Sequence, residues 1–337
     1  MRFGIVTTAR PRLEDLAARA EELGYTSFWV YDTPMLHGDP FVSLALCAKA
    51  TTRIRLGIGV TSPALRSAPA AAAALATLNA LAPGRIICGV GTGNTARRTL
   101  GMPPLKTAEL QSFTAALQDL TAGRETDYRE GTRTSSVRFL HTEGHVNTED
   151  PVEFAIAAIG PKAAAVAGRL GTGLISFALH APEAWSALTR AHRAAATTDQ
   201  ATPSYLMTSL HVLADGEDRY GNAAKDATGH IALTALILAA ENPSFRAMLP
   251  PQESAAVTHL LHLRGTTPLH HNYLGPLPTE DRPLVLPSLL DKFALITPRS
   301  GLPHLLTTLE DAGVTDLLLH PAHPEPGMTT LARHLLP

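Results

Sequence analysis

The sequence predicts an α/β fold, a single (β/α)₈ (TIM) barrel over residues 1–337, and three observations lead to that fold class. Short apolar or β-branched runs alternate with helical stretches of about a dozen residues, which is typical of parallel βα units. Within these runs apolar and polar residues do not alternate cleanly, as expected for strands that are buried on both faces. About eight such runs can be counted, and that number favours a closed barrel over an open sheet.

The first half of the chain follows this alternation without interruption. Gly24 directly follows the first predicted helix, at the position where a left-handed residue commonly ends a helix. The predicted strands are Phe3–Thr8, Ser27–Tyr31, Ile54–Val60 and Ile86–Val90, and the helices after them are Pro11–Leu23, Pro40–Ala50, Ala70–Leu81 and Thr107–Leu120.

The second half is less regular, and we expect two insertions in it. Residues 121–150 are rich in Gly, Thr, Arg and Glu, which indicates a surface insertion. Residues 222–287 are expected to form a helical insertion, Asn222–Leu263, and a loop or lid, Gly265–Pro287, near the active site, because long barrel loops usually carry function. The remaining predicted strands are Val152–Ile159, Gly173–Ser176, Tyr205–Leu213 and Val314–His320, with helices at Lys162–Leu170, Pro182–Ala196 and Leu302–Ala312.

The composition limits the possible classes of function. Hydrophobic residues make up 45% of the chain and charged residues 17%, which is enough to bury a large core. The net charge of −2 gives no electrostatic reason to expect nucleic acid or an anionic membrane as a partner. Cys47 and Cys88 lie in apolar runs rather than in a disulfide or CxxC pattern, and no signal peptide precedes Phe3. We therefore expect a protein of a reduced, cytoplasmic compartment.

In such barrels the active site is built from loops at the carboxyl ends of the strands. Asp32 ends an otherwise apolar strand, so its carboxylate must be solvated or hydrogen-bonded; alternatively it caps the following loop, where Asp is common. The four loops with candidate residues are Asp32-Thr33-Pro34-Met35, Gly59-Val60-Thr61-Ser62-Pro63, Gly91-Thr92-Gly93-Asn94 and Ile159-Gly160-Pro161-Lys162.

Two of these loops could bind phosphate. Gly160-Pro161-Lys162 begins a predicted helix, where free N–H groups and the helix dipole attract phosphate, although the same residues could simply form a sharp turn. Gly91-Thr92-Gly93 could place N–H groups and a hydroxyl against a phosphate or a ring carbonyl. It matches neither the Walker A loop nor GxGxxG, and a lone GTG is usually a tight turn.

Other site classes find little support in the sequence. His259 and His262 share a helical face, but they lack the Glu of an HExxH motif and an evident third ligand, so we expect no metal. An aldolase or isomerase would need a lysine or carboxylate at a strand end, and Lys162 lies at a helix start instead.

Four sets of residues, taken together, resemble one known superfamily. They are Arg2–Ile5 with Ala20–Tyr25, Ala50–Pro63, Ala76–Arg85 with Gly89–Gly93, and Ile159–Lys162 with Ala167–Arg169. The chain is similar to the bacterial-luciferase-like oxidoreductases, and specifically to their methylenetetrahydromethanopterin reductase-like branch. The likeness covers residues 1–180 well and residues 301–320 more loosely. It implies a flavin or deazaflavin ring across the strand ends and a non-proline cis peptide at Gly59–Val60.

The resemblance also implies roles for individual residues. By it, Asp32, Thr61, Thr92 and Gly93 contact the ring or its ribityl chain, Gly59 and Val60 form a bulge behind the ring, and Gly160 and Pro161, with Ile159 and Lys162, hold the phosphate. Relatives often carry Asp-His after the second strand, and some sugar-phosphate dehydrogenases carry an acid after the GTG. Here those positions are Thr33 and Asn94, so the substrates of those enzymes cannot be carried over. Thr33, His37 and Asn94 remain as candidates for donating or relaying a proton.

The resemblance favours a reductase or dehydrogenase that uses coenzyme F420, an 8-hydroxy-5-deazaflavin, to move a hydride to or from a small-molecule substrate. A hydride carrier suits a site without obvious acid–base residues, because the cofactor supplies the chemistry. A reduced-FMN-dependent monooxygenase and a catalytically silent cofactor-binding barrel are the alternatives. Leu260, Leu261 and Leu263 in the helical insertion suggest either a greasy or bulky substrate or the face of a homodimer.

Overall fold

The structure is a computed structural model that describes residues 1–336. Its strands are β1 Arg2–Thr7, β2 Ser27–Val30, β3 Arg55–Thr61, β4 Ile86–Val90, β5 Thr126–Glu130, β6 Arg133–Val137, β7 Glu153–Ala157, β8 Gly173–Phe177, β9 Ser204–Thr208, β10 Leu210–Leu213, β11 Leu295–Pro298 and β12 Asp316–Leu319.

The α-helices lie between these strands and cover the outside of the sheet. They are α1 Leu13–Leu23, α2 Pro40–Ala50, α3 Ala68–Leu81, α4 Asn94–Arg98, α5 Thr107–Thr121, α6 Pro161–Leu170, α7 Pro182–Ala195, α8 Asn222–Glu241, α9 Pro243–Arg246, α10 Pro251–Arg264, α11 Pro287–Phe293, α12 Leu302–Asp311 and α13 Pro324–Leu335.

Eight parallel strands close into a barrel in the spatial order β1-β12-β9-β8-β7-β4-β3-β2, which confirms the predicted fold class. Side chains fill the interior, among them Trp29, Ile87, Tyr205 and Leu318, each fully buried. The barrel is therefore a packed core, and a ligand has to bind at its rim. We call the rim at the carboxyl ends of the eight strands the mouth.

One predicted strand is wrong in its extent. The apolar run Tyr205–Leu213 is two strands, because only β9 stays in the barrel, between β8 and β12. Beyond Ser209 the chain turns outward, and β10 pairs in parallel with β11 in a separate two-stranded sheet. Leu210 and Val212 of β10 pack with the main apolar cluster, and Leu213 packs against the cluster of the helical insertion, which explains why the run stays apolar after it leaves the barrel. Helices α4, α11 and α13 were also not predicted.

The two irregular regions differ in how they pack. Residues 121–150 contain the antiparallel hairpin β5–β6, whose side chains are mostly exposed. Residues 222–264 form three helices, α8 to α10, and the breaks between them lie at Asn242-Pro243 and Pro250-Pro251, where proline interrupts the helical pattern of the sequence. Helix α8 is buried over most of its length, as expected for a helix that is apolar on all sides, and it joins a second apolar cluster with α10 and α11. Their assignment as functional insertions remains a prediction.

Candidate active site

Polar atoms without a hydrogen-bond partner are buried at the mouth. Asp32 follows β2 and is 6% exposed, and its Oδ2 has no partner. Thr61 ends the neighbouring strand β3, is fully buried, and has an unpaired hydroxyl; the hydroxyl of Ser176 in β8 is unpaired as well. Burial raises the pKa of the Asp32 carboxyl; the Thr61 hydroxyl, which lies near the carboxyl without forming a hydrogen bond of normal geometry, and the Arg66 charge oppose this rise to a smaller extent. Since native proteins pair nearly all buried polar groups, these atoms indicate where a ligand would bind.

The end of β3 forms one wall of the mouth. The peptide bond Gly59–Val60 is cis, as the resemblance implied, and the register between β3 and β4 shifts between Ile58 and Thr61. The half-buried Val60 side chain lies against β4, where a Cβ added to either Gly89 or Gly91 would come within 2.7 Å of it. Glycine in β4 is therefore what lets Val60 pack there.

The GTG loop brings two of its three predicted residues to the rim. Gly93 has φ +76°, a left-handed conformation that favours glycine, and it precedes α4. Thr92 and Gly93 are half-buried. Asn94, in contrast, is exposed, and its Oδ1 accepts a hydrogen bond from Arg98 Nε at 2.8 Å. The Asn94 side chain is therefore hydrogen-bonded within its own helix, α4.

Thr33 and His37 come together after β2. Thr33 Oγ1 lies 2.7 Å from His37 Nδ1, and His37 Nε2 lies 3.2 Å from the carbonyl oxygen of Tyr273. Because a carbonyl oxygen can only accept, Nε2 carries the hydrogen and Nδ1 accepts from the Thr33 hydroxyl. Burial lowers the pKa of His37, which favours this neutral form.

The predicted phosphate loop lies open at the start of α6. Ile159 is 78% exposed, and space for a Cβ at Gly160 is free of contacts within 4 Å. Pro161 is the first residue of the helix, so the next N–H groups lack helical partners. The side chain of Lys162 lines an outer groove of about 340 Å³ between α5 and α6, beside Arg169.

A group of buried protic side chains at the mouth was missed by the sequence reasoning. The mouth histidine cluster consists of Tyr31, Ser209, His230 and His320, none of them more than 5% exposed. Tyr31 Oη lies 3.4 Å from His320 Nδ1, and the rings of His230 and His320 meet edge to face with centroids 4.8 Å apart. Tyr31 and His320 directly end predicted strands, so the strand-end rule could have found them. His230 lies inside α8 and carried no signal in the sequence.

The chain after α10 covers the mouth. In this closing segment, residues 270–277, Leu274 is 5% exposed and joins the apolar cluster of the barrel interior. Tyr273 Oη lies 3.2 Å from Thr95 Oγ1, and its carbonyl accepts from His37. A cavity of about 160 Å³ remains beside Asp32. Its lining comes from residues between 32 and 39 and from Leu65 and Arg66, not from the closing segment. Pockets for cofactor-sized ligands are roughly 300–1,000 Å³, so this cavity alone is too small for a tricyclic ring.

Residues 1–336 contain neither a group of metal-ligating side chains nor a membrane-spanning helix. No three His, Cys, Asp or Glu side chains in that range come together so that they could hold a metal ion. No helix in the same range combines the length and the apolar character needed to cross a membrane.

Known proteins provide an independent comparison. The sequence profile of the luciferase-like monooxygenases matches residues 1–315. An F420-dependent glucose-6-phosphate dehydrogenase of Kineococcus radiotolerans is 36% identical over 178 residues, which are 49% of this chain and 51% of that protein. The limonene 1,2-monooxygenase of Rhodococcus erythropolis is 27% identical over 175 residues, 50% of this chain and 44% of that one. The chain thus spans about half the length of the curated relatives it matches.

Solved structures agree over the whole length. The coenzyme F420-dependent tetrahydromethanopterin reductase of Methanopyrus kandleri has a TM-score of 0.75 and 18% identity, covering 100% of this chain and 98% of that one. An F420-dependent secondary alcohol dehydrogenase gives a TM-score of 0.68 and 16% identity, with 99% and 98% covered. At such identities the likeness shows a shared fold. Together with the profile match it confirms the resemblance found in the sequence: the chain belongs to the luciferase-like monooxygenase family.

Proposed function

We propose that the chain is an oxidoreductase that uses coenzyme F420 to move a hydride to or from a small organic molecule. The observation that carries the proposal is the pair of buried, unpaired oxygens on Asp32 and Thr61, at the ends of adjacent strands. A ring with polar edge atoms would satisfy both. The names of the most similar curated relatives support F420 as that ring.

Residues around the mouth fit the parts of such a cofactor. We assign Asp32 and Thr61 to the polar edge of the ring, and Gly59 and Val60 to the wall behind it. Thr92 and Gly93, half-buried at the rim, would contact the ribityl chain. When bound, the deazaflavin supplies or accepts the hydride, and the chain supplies orientation and a dry site.

The start of α6 is assigned to the phosphate. Gly160 leaves space for an anion to approach the backbone, and the N–H groups after Pro161 point out of the helix end. Exposed Ile159 and Lys162 flank this position, and Lys162 would contribute through charge rather than a fixed contact.

Residues 265–287 are proposed as a lid. Closing over a bound ring would exclude water from the reacting carbon, which is a common role of barrel loops. Thr33 and His37 are proposed to position the lid, since His37 donates to the carbonyl of Tyr273. Thr33 and Asn94 differ from the family's acid–base pattern, so glucose 6-phosphate is not proposed as the substrate.

A reduced-FMN-dependent monooxygenase is the second candidate. The likeness to the limonene 1,2-monooxygenase favours it, because that relative carries out oxygen chemistry. Titration of the purified full chain with F420 and, separately, with FMN distinguishes the two. We expect F420 to bind at least about tenfold more tightly, a difference of about 1.4 kcal/mol. Micromolar binding of FMN with none of F420 would contradict the first candidate.

We further propose a homodimer that forms through α2 and α3. Helix α3 has no charged residue, and Val42 and Leu46 on the neighbouring helix α2 are 66% and 50% exposed. An exposed apolar face of this kind marks an interaction surface. Leu261 and Leu263 on α10 are less exposed, which favours α2 and α3. A cytoplasmic location is also proposed, since both cysteines are free and buried.

A further inference from the structure

The hydrogen bonds of the mouth histidine cluster determine which nitrogen of His230 carries a hydrogen. Ser209 Oγ lies 2.5 Å from the carbonyl oxygen of His320, which can only accept, so the single hydroxyl hydrogen is used there. Ser209 Oγ also lies 3.2 Å from His230 Nε2 and must therefore accept from it. His230 thus has its hydrogen on Nε2, and Nδ1 is a bare lone pair.

That lone pair has no partner in the described structure. Nδ1 of His230 is buried and accepts no hydrogen bond, although the residue is only 2% exposed. A packing role alone would be filled at lower cost by an apolar side chain, as at Ile231 next to it. A buried acceptor at a ligand site requires a donor, and the donor has to come from the ligand.

The surroundings keep this acceptor unprotonated. Burial is the main cause that lowers the pKa of His230 to about 4; a hydrogen bond to the backbone of His320 opposes this, and His323 makes a small contribution in the same direction as burial. The groups that face His230 from other elements are Ser209, His320 and His323, and none of them is an acid that would favour a protonated ring. Near neutral pH, Nδ1 therefore remains an acceptor.

We propose that His230 is a catalytic residue whose Nδ1 takes the hydroxyl proton of an alcohol substrate, with Ser209 as the residue that positions it. This inference rests on the proposed function. A carbon that gives up a hydride and bears an O–H group leaves as a carbonyl compound. The C–H bond breaks with its electron pair going to the oxidised deazaflavin, the O–H bond breaks with its proton going to Nδ1, and the C=O bond forms. In the reverse direction a carbonyl compound is reduced.

The test uses the full chain loaded with oxidised F420 and a panel of ethanol, propan-2-ol, cyclohexanol and benzyl alcohol. Loss of the oxidised-deazaflavin absorbance reports turnover. We expect His230→Ala to lower kcat by about 10²–10⁴-fold, the usual contribution of a general base. Its Kd for F420 should stay within about twofold, and free imidazole should restore part of kcat. His262→Ala, at an exposed histidine of α10, is the matched control and should keep full activity.

Two results would overturn the inference while leaving the proposed function intact. One is a wild-type protein that binds F420 and oxidises none of the alcohols; the other is a His230→Ala variant that keeps its kcat. Histidine-labelled ¹⁵N NMR gives an answer that does not depend on F420. An unprotonated Nδ1 near neutral pH that shifts on addition of cyclohexanol supports the assignment, and an Nδ1–H tautomer or a doubly protonated ring overturns it. If the protein does not bind F420, the proposed function is wrong. The NMR result then decides independently whether His230 Nδ1 is an unprotonated acceptor.

Discussion

At the scale of single residues, four of the eleven buried side-chain polar atoms that lack a partner in residues 1–336 lie at the mouth. Oδ2 of Asp32, Oγ1 of Thr61, Oγ of Ser176 and Nδ1 of His230 all belong to this group. A buried unsatisfied group costs about 1–3 kcal/mol, and the whole stability of a domain is only about 5–15 kcal/mol. Unpaired atoms at a ligand site are typical of proteins in which some stability is given up for function.

Replacing Thr61 by valine should separate stability from binding. Valine has nearly the same shape and removes the unpaired hydroxyl, so we expect Thr61→Val to raise the free energy of unfolding by about 1 kcal/mol. The same change removes a donor to the ring, and we expect about tenfold weaker F420 binding. Urea unfolding and a fluorescence titration measure the two effects.

Thr114→Val is the matched control for that variant. Thr114 is also buried, but its hydroxyl donates to the carbonyl of Leu110 at 2.9 Å within α5. Valine there should lower stability and leave F420 binding unchanged. If Thr61→Val binds F420 with an unchanged Kd, Thr61 does not contact the cofactor.

Acidification should destabilise the protein through His230. Its pKa is lowered from 6.5 to about 4 in the folded state, so between these values the unfolded chain binds the proton first. Stability is then lost as the pH falls through that window, by on the order of 3 kcal/mol at most. His230→Gln should lose less stability than wild type between about pH 7 and pH 4.5 in urea unfolding. His262→Gln should behave like wild type; equal losses in all three proteins would refute the prediction.

At the scale of elements, two opposing contributions to the free energy decide whether the closing segment stays closed: burial of a side chain and backbone strain. Burying a leucine side chain contributes about 1.5–3 kcal/mol, which favours the closed position of Leu274. Leu274 has φ of 61°, in the left-handed region that a side chain such as leucine disfavours by about 1–2 kcal/mol. Because these terms are of similar size, the segment is expected to open readily.

Leu274→Ala and Leu274→Gly should therefore differ. Both lose the buried side chain, but only glycine also relieves the left-handed conformation. We expect Leu274→Ala to open the mouth more than Leu274→Gly, with association of F420 about tenfold faster than in wild type. Stopped-flow fluorescence measures the rate. Leu263→Ala, at an exposed leucine of α10, is the control. A slower association in Leu274→Ala would show that the segment helps to hold the cofactor instead.

The face formed by α2 and α3 carries its own prediction. Val42→Glu combined with Leu46→Glu places two charges on the exposed apolar face of α2, and we expect the dimer to separate into monomers. Light scattering after size-exclusion chromatography gives the mass. Leu140→Glu, at a 79% exposed residue of the insertion, is the control that should remain dimeric. A wild-type monomer would end the proposal.

Strands buried on both faces could be predicted from the sequence, because each appears as a short apolar run with a helix after it. The split at Ser209 could not, since β9 and β10 are equally apolar and differ only in the partner that they meet. Helix α13 was missed because it begins with Pro324 and Pro326 in a segment that has the composition of a turn.

At the scale of the whole molecule, the family profile and the solved structures cover both the barrel and the segment over its mouth. Curated relatives align over about half of the chain, and the profile of the family extends through residue 315. The positions of Asp32, Thr61 and Thr92 at or just after strand ends could be predicted from the sequence, whereas their contacts with a cofactor remain a prediction from the resemblance. His230 and Leu274 reach the mouth only through tertiary packing of residues 222–287, for which neither spacing nor resemblance gave a signal.

Because the closing segment covers the mouth, it changes the dissociation constant that a cofactor titration measures. The apparent dissociation constant equals the intrinsic one divided by the fraction of molecules that are open, so a form that is open about 1% of the time appears about a hundredfold weaker. We therefore expect the protein to emerge colourless from purification in a host that makes little deazaflavin. Saturation would then require concentrations far above those needed by a permanently open relative.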